Sequence, residues 1–211
     1  MKAKMLKIAL AGLSLVLLAT VSHAQKQGTI VKKNGGTVVG ALKWLPSSKV
    51  FVVTDASGNQ LRVAWNEIKD VVVKDPPELA SAIKLVQGGQ HALAIPNLEK
   101  IVKDYEMMGP DLKAARYLGE AYLKGVGNAA KAVEVFEKII SGNPSAASSG
   151  EMASIYWDAL LAANRVPKLT SALENAVAEG SRSVAAVALV KRGDIEKKEG
   201  NLKNALVDGY L

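Results

Sequence analysis

The chain has 211 residues, no cysteine, two histidines, and 27 Lys and Arg against 20 Asp and Glu, a formal charge of +7. Without cysteine it has no disulfide, no thiolate nucleophile, no Cys-ligated metal and no lipid on an N-terminal Cys. The charge is small and interspersed, which argues against nucleic acid as a partner.

Lys2, Lys4 and Lys7 precede an apolar run from Ile8 to Val21, and Ser22-His23-Ala24 forms a small-x-small site before Gln25. This pattern predicts a secretory signal peptide over residues 1–24, cleaved after Ala24, and a periplasmic or secreted protein. The apolar run is shorter than the ~20 residues a bilayer span needs, so no stable membrane insertion is expected after cleavage. Removal takes away three lysines and no acid, leaving 24 Lys and Arg against 20 acids and a charge of +4.

Residues 25–75 read as a small β module. Thr29-Ile-Val, Thr37-Val-Val, Val50-Phe-Val-Val, Leu61-Arg-Val-Ala-Trp65 and Val71-Val-Val are rich in β-branched and aromatic residues and predict five short strands. Asn34-Gly35-Gly36, Pro46-Ser-Ser and Asp55-Ala-Ser-Gly58-Asn59 supply the turn chemistry between them, and Asn66-Glu67-Ile68 suggests one helical turn. The glycine run does not match a phosphate-cradling loop, which would precede a helix. The size and pattern resemble an SH3-like or Sm-like barrel, which implies a sheet closed on itself to protect its edges.

Asp75-Pro76-Pro77 ends the β pattern and opens a helical region over residues 76–211, with Glu78 suited to the positive end of a first helix. Gly88-Gly89, Gly127-Asn128, Asn164-Arg165 and Gly200-Asn201 punctuate apolar stretches and predict four helical hairpins. Within residues 112–144, Ala115-x2-Leu118-Gly119-x2-Tyr122, Ala132-x3-Phe136 and Pro144 place a small residue where two helices meet, large apolar residues on the facing stripe and a proline at the stop. This spacing resembles the tetratricopeptide (TPR) repeat, with Tyr122 and Ala132 ten residues apart, one more than the family spacing. Gly193, Gly200, Leu202 and Ala205 fit the fourth hairpin, and Ala82, Gly89 and Ala94 the first. The third has Trp157 where Gly or Ala is usual. Pro96 falls inside the second helix of the first hairpin, where a kink is expected. The expected fold class is therefore α+β, a five-stranded barrel-like module followed by a TPR solenoid.

The resemblance implies stacked antiparallel helix pairs with a concave face that binds a peptide or helix. Carried over residue by residue, it gives partner-binding candidates Lys113, Arg116, Glu120 and Lys124 in the second hairpin, Asp158 in the third, and Asp194 and Lys197 in the fourth. The same charges could simply solvate one helix face. His91, the sole histidine after Gln25, reads as a turn or packing residue, and Trp65 as core, with Trp44 the more exposed of the two. No nucleophile, metal or cofactor motif stands out, so the chain reads as a non-enzymatic scaffold for an envelope protein with no cofactor. The alternative reading is a cell-wall or carbohydrate-binding accessory protein using the β module. The apolar stretch 205–211 suggests self-association.

Overall fold

The computed structural model describes residues 26–201 and Asn204. The expected signal peptide, its cleavage site, Leu202 and the segment 205–211 lie outside the described residues. The fold is α+β, a five-stranded antiparallel sheet followed by seven α-helices among the described residues.

The strands are β1 (Lys26–Lys32), β2 (Thr37–Leu45), β3 (Val50–Thr54), β4 (Gln60–Ala64) and β5 (Ile68–Val73), in the order β4-β3-β2-β1-β5. All five expected strands form around one buried face, and at the centre of β2 and β3 Ala41 and Val52 on the other face are covered too. Ile30, Leu42, Phe51, Val53 and Val63 are at most 2% exposed. The turns follow their side-chain chemistry. Asn34 Oδ1 accepts from the Gly36 N–H at 3.0 Å, and Asp55 Oδ1 accepts from Ser57 N–H and Asn59 N–H at 2.8 and 2.9 Å. Gly28 and Gly40 face each other in register. A Cβ on Gly40 would overlap the Thr54 carbonyl, and one on Gly28 would fall 2.8 Å from the Val72 carbonyl oxygen, so both sides of this pair need glycine for backbone to approach backbone. A 3₁₀ turn, Trp65–Glu67, joins β4 to β5, one residue earlier than the expected helical turn.

The helices are α1 (Pro77–Gln87), α2 (His91–Asp104), α3 (Pro110–Glu120), α4 (Ala129–Gly142), α5 (Gly150–Ala162), α6 (Val166–Glu179) and α7 (Arg182–Lys198). Prolines occupy the first or second position of α1, α3 and α6, where the missing N–H costs no helical bond. Pro96 lies within α2, which continues through it with its ring exposed. Three of the helix ends share one design. Gly89, Asn164 and Gly200 adopt positive φ of 75°, 55° and 84°, and the next N–H donates back to Leu85, Leu160 and Glu196 respectively, each at 2.8 Å. The α3–α4 connection differs. There the end of α3 widens into a π turn, Ala121–Gly125, before Gly127 reverses the chain at φ 66°.

Each helix packs on the next, and α1 also touches α3, α3 touches α5, and α5 touches α7. The odd-numbered helices therefore form one layer, backed by the even-numbered ones. A single apolar core runs through the array from Leu79 to Ala188, and includes Ala82, Ala94, Ala115, Leu118, Ala132, Phe136 and Trp157.

The sheet has its own core, which the α2–α3 loop caps. Met107 and Met108, in the α2–α3 loop, are 8% and 4% exposed and pack into the sheet core with Ile30, Leu42, Phe51 and Ile68. Asp111, 1% exposed, holds that loop: its carboxylate accepts from Met107 N–H at 2.7 Å and Gly109 N–H at 2.9 Å, where the backbone turns at φ 63° and 99°. The junction at Asp75-Pro76 thus separates two cores, and the α2–α3 loop bridges them.

Candidate partner-binding face

The layer of odd-numbered helices presents the candidate side chains in three successive ranks. On α3 and the π turn that extends it, positions 113, 116, 120 and 124 recur at three- and four-residue spacing and share a face. On α5 the corresponding rank is Glu151, Ser154 and Asp158, and on α7 it is Val187, Val190, Lys191 and Asp194.

Ion pairs tie these ranks together. Arg116 Nη2 donates to Glu151 Oε1 at 3.0 Å, joining α3 to α5, and its guanidinium lies 4.4 Å from the Tyr117 ring centroid. Lys191 donates to Asp158, joining α5 to α7. Lys113 Nζ meets Asp75 Oδ2 at 2.6 Å, joining α3 to the segment before α1. Glu120 and Lys124 pair with each other at 3.0 Å along one helix face. Five of the seven expected residues, Lys113, Arg116, Glu120, Lys124 and Asp158, therefore already hold intramolecular partners. Asp194 and Lys197 stand exposed on α7 beside Val190, which is 63% exposed.

Pairs at this level of exposure stabilise by about 0–1 kcal/mol each, so a partner can displace them at small cost. Arg116 is the best placed. Only 22% of its side chain is exposed, its Nε is buried without a hydrogen-bond partner, and its guanidinium carbon lies over the Tyr117 ring. The face joins a basic rank on α3, an acidic rank on α5 and a mixed, partly apolar rank on α7.

His91 begins α2 with its ring pressed against Gly125 of the π turn, so that any Cβ there would overlap it. It is a packing histidine in this fold, and its Nδ1 has no hydrogen-bond partner. Trp65 is half-buried as core, but so is Trp44, whose ring lies 4.9 Å from Phe51 and 5.9 Å from Trp65. The expected exposure of Trp44 is reduced because it lies in register with Phe51 on the core side of the sheet.

Sequence reasoning missed a cavity of about 420 Å³ between α6 and α7, floored by Leu161, Leu169, Leu173 and Ile195 and rimmed by Glu174 and Glu199. Its lining is drawn from three helices, so no local spacing marks it. Asp111 was missed as well, although Gly109-Pro110-Asp111 after two methionines carried the signal of a capped, apolar loop. Compared with protein-family models, with curated proteins and with solved structures, the chain matches none.

Proposed function

We propose that the protein is an exported, non-enzymatic interaction scaffold whose TPR-like helical half holds a peptide or helix of an envelope protein. The observation that carries this reading is the layer α1–α3–α5–α7, in which every second helix touches the next and ion pairs link α3 to α5 and α5 to α7. Further support comes from Gly119, seated under the Phe136 ring where the repeat pattern asks for a small residue. The sheet order, with its 3₁₀ turn between the last two strands, supports an SH3-like or Sm-like barrel for the β module. Apolar contacts along the face supply affinity, and the displaceable ion pairs select the partner by charge.

The test is crosslinking in intact cells with an Arg116→Glu, Glu151→Arg exchange, which keeps the α3–α5 ion pair and inverts its polarity. An added Lys124→Glu deepens the inversion. Retained thermal stability with selective loss of one envelope protein is the expected result. An unchanged set of crosslinked proteins in a folded variant would refute the face as the binding site.

A further inference from the structure

The positive charge is not spread through the folded chain. Residues 76–211 hold sixteen Lys and Arg and sixteen Asp and Glu, whereas residues 25–75 hold eight against four, so the whole +4 excess lies in the β module. The four acids there are engaged elsewhere. Asp75 pairs with Lys113, Glu67 lies 3.9 Å from Lys32, Asp55 closes its own turn, and Asp70 accepts from Val71 N–H on β5.

Strand register shows where the excess cations project. Trp44, Phe51 and Val63 share the core side, so Lys43, Val52 and Arg62, which pair across β2, β3 and β4, share the outer side, with Lys43 and Arg62 exposed and Val52 covered between them. Their neighbours on that side are Ala41, Thr54 and Gln60 in one row and Leu45, Val50 and Ala64 in the other. No acid occurs in these three rows. Lys43, Arg62 and Lys49, in the adjoining turn, are exposed and have no ion pair among the described residues. Val39, on the same side of β2, is 66% exposed.

We propose that the outer face of β2, β3 and β4 docks on an anionic lipid bilayer. The face offers cations at a sheet surface with an exposed valine beside them, which suits a charged interface with an apolar layer beneath it. Nucleic acid fits less well, because Trp44, Phe51 and Trp65 all project to the opposite side and leave no ring for a base to stack on. Among the described residues no helix is long and apolar enough to cross a membrane, so attachment is peripheral.

The experiment is co-sedimentation of the chain from Gln25 onward, which removes the apolar leader, with vesicles of equal parts phosphatidylglycerol and phosphatidylcholine or of phosphatidylcholine alone. Binding is expected to the mixed vesicles only and to weaken with salt. Lys43→Gln with Arg62→Gln should lower the partition constant about 25-fold, about fivefold per cation. Lys84→Gln with Lys138→Gln removes the same charge from the helical half and should change it less than about twofold. Circular dichroism confirms that each variant is folded. Failure to bind the mixed vesicles, equal losses in the two double variants, or capture by soluble dextran sulfate without vesicle binding would each overturn the proposal.

Discussion

Gly119 lies flat beneath the ring of Phe136, so close that a Cβ at Gly119 would overlap the Cζ and Cε2 atoms of the ring. Phe136 is fully buried and also packs against Tyr156 at 5.8 Å, so it has no room to retreat. Gly119→Ala should therefore destabilise by about 1–3 kcal/mol through overpacking, although alanine is the better helix former. Urea denaturation measures this. Phe136→Leu in the Gly119→Ala background should recover part of the loss, and a neutral Gly119→Ala would show that the α3–α4 contact is looser than described.

Met108, carried on the α2–α3 loop, fills the sheet core, and its truncation leaves a cavity there. Met108→Ala should cost about 2–5 kcal/mol and lower the stability of sheet and helices together. In a Trp157→Phe background, tryptophan fluorescence reports only Trp44 and Trp65 in the β module, while far-UV circular dichroism follows mainly the helices. Coincident transitions by the two probes are expected, and separated ones would mean that the halves unfold independently.

Asp111 gives a pH prediction with a definite sign. Burial is the largest influence and raises its carboxyl above 3.8, against the opposing bonds from Met107 and Gly109 N–H. An acid raised on folding binds more protons folded than unfolded. Its contribution favours the fold at low pH and is lost as pH rises from 3.8 through the folded value. Asp111→Asn keeps an acceptor oxygen without the charge. Its stability relative to wild type should improve as pH is raised from below 3.8 to neutrality, and a constant or declining difference would contradict this account. Asp111→Ala leaves both N–H groups unpaired and should cost about 1–3 kcal/mol for each that stays buried.

The shared turn design predicts opposite effects of two small changes. Asn164 holds a positive φ that Gly89 and Gly200 hold without a Cβ, so Asn164→Gly should be neutral or stabilising by less than about 1 kcal/mol. Gly89→Ala, at φ 75° with nothing to clash against, should cost about 1–2 kcal/mol from backbone strain alone. Thermal denaturation of the two variants tests both signs.

Local features were legible in the sequence because their causes are local. The strands announce themselves in β-branched alternation, the turns in Asn34-Gly35 and Asp55–Asn59, and the hairpins in glycine and asparagine at positive φ. The contact of Gly119 with Phe136 was partly readable too, since a small residue on one helix of a hairpin and a large ring on the next invite close packing. Met107 and Met108 were not, because their partners Ile30 and Phe51 lie in another element and nothing in the loop names them. For the candidate face, the residue types were legible but their pairings were not. Arg116 meets Glu151 and Asp158 meets Lys191 across more than thirty residues, through helix stacking that no spacing within one helix reveals.

The two methionines also decide how the molecule behaves mechanically. A module attached at one point swivels about its linker, whereas one gripped at two points keeps its bearing. Here the chain crosses once at Asp75-Pro76, and the α2–α3 loop returns to grip the sheet from within. The loop therefore narrows the range of angles between the outer sheet face and the odd-helix face. Two ligands held on them would be presented to each other over a narrowed range of separations, with less entropy lost in finding one.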